Sequence, residues 1–418
     1  MTPRAPQIAA LAAAIADLAS LAAPADAMLH QFFRRHPKLG QHDRAFVTEG
    51  VFAWLRRRRS LEALAGTTEP KMLALAVLVR DRGFSLRELA ESVRAADAEW
   101  LREFKSRLSA ELPPAVAADV PDWLWDRLGD AYGAAERTAM TRAWQSPAAL
   151  DLRVNPLKVA RDAARAQLGE SGIEAVPTPY SPLGLRVAAR PSLARHPLVV
   201  DGAIEVQDES SQLVGYLVAP RRSDMVVDFC AGAGGKTLLL GAMMRSQGRL
   251  YAFDIVDKRL ANLQPRLARS GLSNVHPQLL ASERDTKVKR LAGKIDRVLV
   301  DAPCTGFGTL RRNPDLKWRL NAGAPAELVA KQRAILNAAA TLVKPGGRLV
   351  YATCSVLPEE NDGVVDDFLA AHPAFARGDA AAELARAGIP LDTGPALRLY
   401  PQTHQCDGFF AAVLERQT

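Results

Sequence analysis

Two short apolar stretches, each followed closely by a cysteine, constrain the fold of this 418-residue chain more than any other feature. The first ends at Asp301 and continues into Ala-Pro-Cys304-Thr-Gly; the second ends at Ala352 and leads into Thr-Cys354-Ser. Such runs predict buried parallel strands with tight loops at their C-terminal ends, the edge at which open α/β sheets bind ligands. A lone cysteine is usually a small buried hydrophobe. Two at matching strand ends favour chemistry instead. Neighbouring strands lie about 4.8 Å apart, so both thiols could reach one small planar ligand if these two strands are adjacent.

The chain from Met225 onward alternates between predicted strands and helices, which indicates a doubly wound sheet. The predicted strands are residues 225–229, 250–254, 275–280, 297–301, 348–352 and 408–414, and the predicted helices are residues 235–245, 258–270, 326–343 and 361–369. Residues 1–145 have a helical pattern, and the strands expected near residues 152, 176 and 185–188 indicate a small α+β segment. We therefore expect a helical domain (1–145), a small α+β segment (146–200) and a Rossmann-like α/β domain (201–418).

Composition favours a globular protein with a polyanionic partner. Hydrophobic residues make up 48% of the chain and charged residues 24%, while the net charge is +8 and the isoelectric point about 9.4. The stretch 30–60 has eight Lys or Arg residues against two Asp or Glu and is interleaved with aromatic residues, so it predicts RNA contact, with a merely solvated face as the alternative. It includes Arg56–Arg59, and four successive arginines cannot share one helix face. A second basic set is interpreted as a phosphate track rather than solvated loop charge: Lys287, Lys289, Arg290, Lys294, Arg311, Arg312, Lys317 and Arg319. Trp318, within it, is predicted to be a core residue.

Cysteine usage and hydropathy bear on the compartment. Four cysteines without close pairing or CxxC spacing argue for a reducing cytoplasm and against a disulfide scaffold or a zinc site, so we expect no metal. The alanine-rich start loosely resembles a signal peptide. However, Asp17 interrupts it, and Ile8, Leu11, Ile15 and Leu18 recur at the spacing of an amphipathic helix. No apolar stretch is long enough to predict a membrane span.

A glycine-rich turn, Asp228-Phe-Cys-Ala-Gly-Ala-Gly-Gly-Lys-Thr237, joins the first predicted strand to the first helix. Glycines let the backbone approach a ligand, and the helix N-terminus offers unpaired N–H donors. A P-loop would require glycine at Cys230, and a dinucleotide fingerprint would require glycine at Thr237, so both fail. The methyltransferase arrangement remains, in which such a loop holds the amino-acid part of S-adenosylmethionine. Asp254, which ends the second strand, suits a carboxylate that accepts hydrogen bonds from ribose hydroxyls.

With these motifs, the chain resembles the RsmB/NOP/Sun family of RNA cytosine-5 methyltransferases. The resemblance covers roughly residues 121 to 418 and rests on stretches in the family's order: Val206-Gln-Asp-Glu-Ser-Ser-Gln212, the glycine-rich turn, Asp301-Ala-Pro-Cys-Thr-Gly306, Arg312-Asn-Pro-Asp315, Tyr351-Ala-Thr-Cys-Ser-Val-Leu-Pro-Glu-Glu-Asn361 and Pro401-Gln-Thr-His-Gln-Cys-Asp-Gly-Phe-Phe410. The chain departs from the family's motifs at two places, and the residues there are still small. Gly232-Ala233 stands where the family usually has Ala-Pro, and Thr305 stands where it has Ser. The N-terminal third resembles the NusB-like RNA-binding domain of some members.

The resemblance implies a class I methyltransferase that uses S-adenosylmethionine. It makes Cys354 the nucleophile that attacks carbon 6 of cytosine and Cys304 the residue that assists release of methylated RNA, with Asp301 between cofactor and base. The implied cofactor contacts are Cys230, Ala231, Gly232, Ala233, Gly234, Gly235, Lys236 and Asp254, together with Asp301. Asp285 is the local candidate for the acid near the adenine, although a solvated surface acid is the alternative. Thiolate character at Cys354 is expected from nearby basic groups.

The implied substrate is single-stranded or flipped RNA. Ribosomal RNA is favoured by resemblance to bacterial members, with transfer RNA as the alternative. A DNA cytosine-5 methyltransferase would use Cys304 as nucleophile and leave Cys354 superfluous. A catalytically silent RNA-binding assembly factor would not need Cys304, Cys354, Asp301 and Lys236. Nothing in the sequence indicates the oligomeric state.

Overall fold

The computed structural model describes residues 2–187 and 191–418. Over these ranges the α-helices are α1 (Ala5–Leu18), α2 (Ala25–Arg35), α3 (Gln41–Ala65), α4 (Pro70–Arg80), α5 (Leu86–Leu89), α6 (Ala95–Ser106), α7 (Pro114–Ala117), α8 (Asp122–Ala131), α9 (Ala134–Trp144), α10 (Arg161–Glu170), α11 (Pro197–Val200), α12 (Glu209–Val218), α13 (Gly235–Met243), α14 (Asp257–Ser270), α15 (Thr286–Arg290), α16 (Leu316–Arg319), α17 (Ala324–Ala340), α18 (Asp362–Ala371), α19 (Ala380–Arg386) and α20 (Pro401–His404). The strands are β1 (Leu150–Val154), β2 (Ala175–Pro177), β3 (Gly184–Val187), β4 (Ile204–Val206), β5 (Met225–Asp228), β6 (Arg249–Asp254), β7 (Val275–Leu279), β8 (Ile295–Asp301), β9 (Val343–Thr353), β10 (Phe375–Arg377), β11 (Ala396–Leu399) and β12 (Phe409–Arg416).

The elements predicted after residue 225 are found in the predicted order, with shifts at their ends, and the structure adds α15, α16, β10, α19, β11 and α20, which the sequence did not predict. The largest shift is in β9, which begins at Val343, where the sequence predicted the end of the preceding helix. The strand predicted over residues 185–188 corresponds to β3, and Ala188 lies outside the described residues. Within the described ranges, no helix combines the length and apolar character that crossing a membrane would require.

The described chain divides into two compact units, and the division differs from the predicted domain boundaries. The first unit comprises residues 1–147 together with 309–322, and the second comprises 148–308 and 323–418. The predicted α+β segment ended at residue 200, but its sheet also includes β4, because Leu152 pairs with Val206 and Val154 pairs with Ile204. Residues 309–322, which the sequence assigned to the α/β domain, instead belong to the first unit.

The first unit is helical, as predicted. The periodic residues of α1 (Ile8, Leu11, Ile15 and Leu18) are all buried in its core, which confirms an amphipathic helix. The core also encloses Phe32, Trp54 and Phe104. Apolar burial of this kind is the main favourable contribution to folding.

The arginine run of α3 is engaged within this unit. Its residues bond as follows: Arg56 to the Arg311 carbonyl (3.3 Å), Arg57 to Asp81 (3.3 Å) and Gln145 (2.9 Å), Arg58 to Glu62 (3.0 Å), and Arg59 to the Val120 carbonyl (2.8 Å) and Asp122. The helix kinks at Arg57, whose φ and ψ of −116° and 17° are not helical. The run therefore ties helices and loops together, and RNA contact by these residues stays a prediction.

Lys317 and Trp318 are parts of the first unit's interior. Lys317 is 1% exposed, and its Nζ donates to the Arg56 carbonyl at 3.0 Å. Burial lowers the pKa of Lys317 to about 7. The interpretation of Lys317 as a phosphate contact is therefore wrong, because its ammonium faces a backbone carbonyl instead of solvent. Trp318 donates its indole N–H to the Leu55 carbonyl at 2.7 Å and packs against the helical core, as predicted.

The second unit contains two sheets. The smaller sheet is antiparallel with the order β2-β3-β1-β4, and its apolar face is covered by α10. The larger sheet has the order β7-β6-β5-β8-β9-β12-β10, with β11 alongside β12. β5 pairs in parallel with both β6 and β8, whereas β12 is antiparallel to β9. The chain reverses direction across the sheet at β5, which places a crevice at the C-terminal ends of β5 and β8.

Alternate residues of the central strands enter opposite faces of this sheet. Val226 and Leu299 lie in the core that includes α12 and α13, while Val227 and Val298 lie in the core that includes α17 and α18. This two-sided burial explains why the strands are continuous apolar runs without polar alternation. The doubly wound α/β fold expected from the sequence is confirmed.

Truncation of a central strand side chain should destabilise the second unit. Val298→Ala removes two buried methyl groups and leaves a cavity, which should lower the free energy of unfolding by about 2 kcal/mol. Val176→Ala is the matched control, because Val176 is 60% exposed on β2. All six tryptophans lie in the first unit, so urea unfolding should be followed by far-ultraviolet circular dichroism. Equal midpoints for the two variants would contradict the assignment of Val298 to the core.

Candidate active site

The two thiols singled out in the sequence lie side by side. β8 and β9 are neighbouring parallel strands with Asp301 opposite Ala352. Their C-terminal loops therefore leave the same edge of the sheet, and the Cys304 and Cys354 sulfurs are 3.4 Å apart. Both cysteines are partly exposed. The two strands are therefore adjacent, which is the condition under which both thiols could reach one ligand.

Close backbone contacts fix the path of the Cys304 loop. The Gly308 N–H donates to the Cys354 carbonyl at 2.9 Å, and the Gly408 N–H donates to the Gly308 carbonyl at 2.8 Å. A Cβ at Gly308 would lie 2.0 Å from the Gly408 carbonyl oxygen. Only glycine allows backbones to approach this closely. The loop after β8, the loop after β9 and the start of β12 are thus held as one layer.

Asp301 forms an ion pair with Lys236. The Lys236 Nζ lies 2.7 Å from Asp301 Oδ2, and it also lies 4.8 Å from the centre of the Phe409 ring. Lys236 is almost entirely buried, whereas the Asp301 side chain is 31% exposed. The lysine therefore orients a carboxylate that remains accessible to a ligand, and the aromatic ring supplies a cation–π contact to the ammonium.

Asp254 lies at the end of β6, as the sequence predicted, and holds the glycine-rich turn. Its Oδ2 accepts from the Gly232 N–H at 2.9 Å and its Oδ1 from the Val256 N–H at 2.8 Å. Gly232 and Gly234 have φ values of +56° and +84°, a backbone region that favours glycine. The turn leads directly into α13, whose N-terminus has no side-chain cap among the described residues and therefore suits an anion or a carboxylate.

Two arginines of the second unit brace this turn, and sequence reasoning missed both. The Arg153 guanidinium on β1 donates to the Gly235 carbonyl at 2.6 Å and also bonds Gln207. Arg266 on α14 donates to the Ala233 carbonyl at 2.6 Å and is itself paired with Glu205 at 2.8 Å. Neither arginine lies near the turn in sequence, so only the tertiary structure connects the small sheet to the turn.

Asp228, at the end of β5, is a further buried acid that was not among the predicted site residues. Its Oδ2 accepts from the Thr237 hydroxyl at 2.7 Å, and its Oδ1 has no protein partner among the described residues. Burial raises the pKa of Asp228 to about 7; the negative charges of Asp301 and Asp254 add to the rise, and Lys236 opposes it. The sequence signal that could have identified Asp228 as a site residue was its position at the start of the glycine-rich turn.

The pKa values of two predicted site thiols are raised. The hydrogen bond to Cys354 and burial raise the pKa of Cys304 well above its usual range. Burial, followed by the negative charge of Asp228, raises the pKa of Cys230 likewise. Both groups are therefore neutral thiols at neutral pH. The thiolate character predicted for Cys354 stays a prediction.

Asp285 caps the short helix α15. Its Oδ2 accepts from the Ala281 N–H at 2.8 Å and its Oδ1 from the Lys287 N–H at 2.9 Å. These backbone bonds lower the pKa of the partly exposed Asp285 carboxyl. The two backbone bonds explain an acid at this position without requiring a bound ligand. The role of Asp285 as the acid near the adenine therefore stays a prediction.

Apolar side chains beside Asp254 form an exposed surface that sequence reasoning also missed. Ile255 is 64% exposed and Leu279, opposite Asp254 in the pairing of β6 and β7, is 41% exposed. Val256 is 38% exposed. Large exposed aliphatic groups next to a strand-end carboxylate suit a flat ring that carries polar substituents. The sequence signal that could have indicated this surface was the apolar pair Ile255-Val256 directly after Asp254.

Comparisons with known proteins agree with this geometry. A family model described as 16S rRNA methyltransferase RsmB/F matches residues 215–415, and one described as an RsmF/B-like ferredoxin-like domain matches residues 120–193. The chain is 30% identical to the "Probable ribosomal RNA small subunit methyltransferase B" of Synechocystis sp., over 94% of this chain and 95% of that protein. It is 34% identical to the ribosomal RNA small subunit methyltransferase B of Sodalis glossinidius, over 91% of each. The crystal structure of PH0851 aligns over 100% of both chains with 25% identity and a TM-score of 0.78.

Asp228 should make the stability of the second unit depend on pH. Its folded-state pKa is about 7, whereas an unfolded aspartate titrates near about 3.9. Between these values the folded state holds a proton that the unfolded state has lost. The Asp228 carboxyl therefore makes the free energy of unfolding fall as the pH rises, by at most about 1.4 kcal/mol per pH unit.

Asp228→Asn should remove this part of the slope, while Asp257→Asn, at an exposed acid of α14, should retain it. The slope of each variant is measured by urea unfolding at several pH values, with circular dichroism as the signal. Identical slopes in the wild type and Asp228→Asn would contradict the raised pKa.

Proposed function

Because the chain belongs to the RsmB/F family of methyltransferases, we propose that it methylates carbon 5 of a cytosine in small-subunit ribosomal RNA with S-adenosylmethionine as the methyl donor. The observation that carries this proposal is the 3.4 Å separation of the Cys304 and Cys354 sulfurs beside the Lys236–Asp301 pair. Two thiols and one oriented carboxylate at a sheet edge suit a reaction that forms and then breaks a bond to sulfur. The names of the relatives support ribosomal RNA over the alternative, transfer RNA.

The residues at the sheet edge fit S-adenosylmethionine. The Asp254 carboxylate suits ribose hydroxyls, and Ile255 with Leu279 offers an apolar surface for adenine. The unpartnered Asp228 oxygen and the turn formed by residues 230–236 suit the amino-acid group. When bound, this cofactor would supply an electrophilic methyl group. The predicted contacts, including Cys230 and Ala231, are part of this proposal.

Cytosine carbon 5 is a poor nucleophile, so the protein must first activate the base. The thiolate of Cys354 adds to carbon 6, and the electrons of the C5–C6 double bond make carbon 5 nucleophilic. Asp301, oriented by Lys236, contacts the edge of the base and favours this addition. After carbon 5 accepts the methyl group, a base removes the carbon-5 proton and the C6–S bond breaks.

Cys304 would complete the cycle by assisting release. Its raised pKa keeps a proton on the sulfur that lies 3.4 Å from Cys354. That proton can pass to the Cys354 sulfur as the C6–S bond breaks. The family resemblance assigns Cys354 as nucleophile and Cys304 as the residue that assists release, and the 3.4 Å separation suits a proton transfer between them. A DNA cytosine-5 methyltransferase would use the reverse assignment. Free cysteines at such a site fit the reducing cytoplasm in which we expect this protein to act.

Substitution of each cysteine should separate the two roles. With 16S ribosomal RNA, assembled small subunits and transfer RNA as substrates, Cys354→Ala should abolish transfer of labelled methyl groups. Cys304→Ala should stop turnover and accumulate RNA that is covalently linked to the protein, visible on a denaturing gel. Cys406→Ala is the matched control for loss of a thiol, because Cys406 is buried in the core on one sheet face and its sulfur is not part of the Cys304–Cys354 pair.

The outcomes distinguish the candidate functions. Full activity of Cys354→Ala would overturn the nucleophile assignment and favour Cys304. Labelling of transfer RNA alone would show that the substrate is transfer RNA and not the proposed ribosomal RNA. An inactive wild type that still binds RNA would favour an assembly factor without catalysis.

Asp254→Asn should weaken cofactor binding selectively. The amide would place an N–H group against the Gly232 or Val256 N–H and would lose the charge that ribose hydroxyls bond. Loss of charged hydrogen bonds of this kind corresponds to an increase of about 10- to 100-fold in the KM for S-adenosylmethionine. Calorimetric titration with the cofactor should show the same increase in Kd, while Asp257→Asn should match the wild type. An unchanged Kd would contradict the ribose assignment.

A further inference from the structure

A buried carboxylate connects the two cysteine loops. Glu360 ends the turn that follows the Cys354 loop and is 0% exposed. Its Oε1 accepts from the Thr305 N–H at 2.9 Å, and its Oε2 accepts from the Thr305 hydroxyl at 2.5 Å and from the Ser355 hydroxyl. Thr305 directly follows Cys304, and Ser355 directly follows Cys354. One side chain thus bonds the residue next to each thiol.

A third segment joins the same carboxylate. Gln332 on α17 donates to Glu360 Oε1 at 3.0 Å and to the Pro303 carbonyl at 2.9 Å, on the other side of Cys304. The Thr305 and Ser355 hydroxyls are also 3.2 Å apart. Cys304 is therefore flanked on both sides by residues that this network holds.

The Glu360 turn is itself fixed to the strand that carries Cys354. The Tyr351 hydroxyl donates to the Glu360 carbonyl at 2.7 Å, and Asn361 bonds the Thr353 hydroxyl at 2.5 Å and the Ser355 carbonyl at 3.1 Å. The carboxylate consequently cannot shift without moving the end of β9. This rigidity suits a reference point against which a loop is positioned.

Burial of a carboxyl group is unfavourable, and burial raises the pKa of Glu360, although its hydroxyl and amide partners oppose that shift. An apolar side chain would fill the same space without the desolvation penalty. A hydrogen-bonded carboxylate offers instead several directional bonds at once, which define the geometry of the groups around it. The cluster therefore provides positional precision.

We propose that Glu360 is a positioning residue that sets the separation of the Cys304 and Cys354 sulfurs by bonding the residue after each of them. Its effect on methyl transfer depends on the proposed function, whereas its effect on the distance between the thiols does not. Thr305, which stands where the family usually has serine, retains the hydroxyl that this role requires.

Disulfide formation between Cys304 and Cys354 needs no substrate, and its rate depends on the separation of the sulfurs and on thiol acidity. Because the negative charge of Glu360, after the hydrogen bond to Cys354 and burial, also raises the pKa of Cys304, removing that charge favours the thiolate and would speed the reaction, so a slower reaction indicates lost positioning. Diamide accepts the two hydrogens of a thiol pair and is reduced to the hydrazine as the disulfide forms. Peptide mapping by mass spectrometry identifies the bond, and Cys304→Ala supplies the blank. Glu360→Gln places an N–H group against Thr305 or Ser355 and should slow this reaction by about 10- to 100-fold, as a displacement near 1 Å does in other positioned reactions.

Thr305→Val and Thr305→Ser form a matched pair that does not alter the carboxylate. Thr305→Val keeps the shape but removes the hydroxyl, so it should slow disulfide formation, whereas Thr305→Ser should restore a rate near that of the wild type. Glu327→Gln, at an exposed acid on the same helix as Gln332, is the control. If Glu360→Gln fails to fold by circular dichroism, the Thr305 pair alone decides. Wild-type rates in folded Glu360→Gln, or in Thr305→Val, would overturn the proposal.

Kinetics of methyl transfer provide a second and separate readout. Glu360→Gln should lower kcat while the KM for S-adenosylmethionine stays constant, because the carboxylate bonds the cysteine loops rather than the glycine-rich turn. A rise in KM with constant kcat would overturn the assignment to the thiols. An inactive wild type would contradict the proposed function, and the disulfide rates would still test the role of Glu360.

Discussion

The parallel pairing of β8 with β9 is the constraint on which the site depends. Parallel strands present their C-terminal ends at one edge, so two loops that are distant in sequence start from neighbouring points. Each loop must then turn sharply within a few residues, which requires the close backbone approach of Gly308 to Gly408. The sulfur atoms lie together because backbone hydrogen bonds and a buried carboxylate hold both loops, and neither thiol needs a flexible segment to reach the other.

Electrostatics shape the same edge of the sheet. The charges of Asp301, Asp254 and Lys236 all act on the Asp228 carboxyl, Lys236 pairs with Asp301, and Arg259 lies 4.0 Å from Asp254. Each acid is accommodated differently: Asp254 by two backbone N–H groups, Asp301 by the lysine and Asp228 by a hydroxyl group and a raised pKa. An excess of carboxylates over nearby basic groups favours a ligand that carries positive charge. The same excess opposes thiolate formation at Cys230, whose pKa these acids help to raise.

Local patterns in the sequence predicted the strands, the helices and the residues at the strand ends, because each depends on neighbours within a few positions. The order of the cysteine loops and the place of Asp254 follow from the same alternation of strands and helices. Arg153, Arg266 and Glu360 could not be assigned in this way, because their partners lie far away in sequence and come together only in the folded chain. Lys317 was misassigned for a related reason: the sequence shows a charge but not the carbonyl group to which it donates.

Basic composition therefore overestimates the surface that can meet a polyanion. Arginine can donate several hydrogen bonds to carbonyl groups while its charge is paired or buried. Arg59, Arg153 and Arg348 each donate to a backbone carbonyl within their own unit, and in doing so they bridge elements of the fold. Such residues contribute to the net charge of +8 but support structure. Exposed residues such as Lys289 and Arg290 on α15 can instead offer their charge to phosphates, so charge reversal there would test RNA affinity.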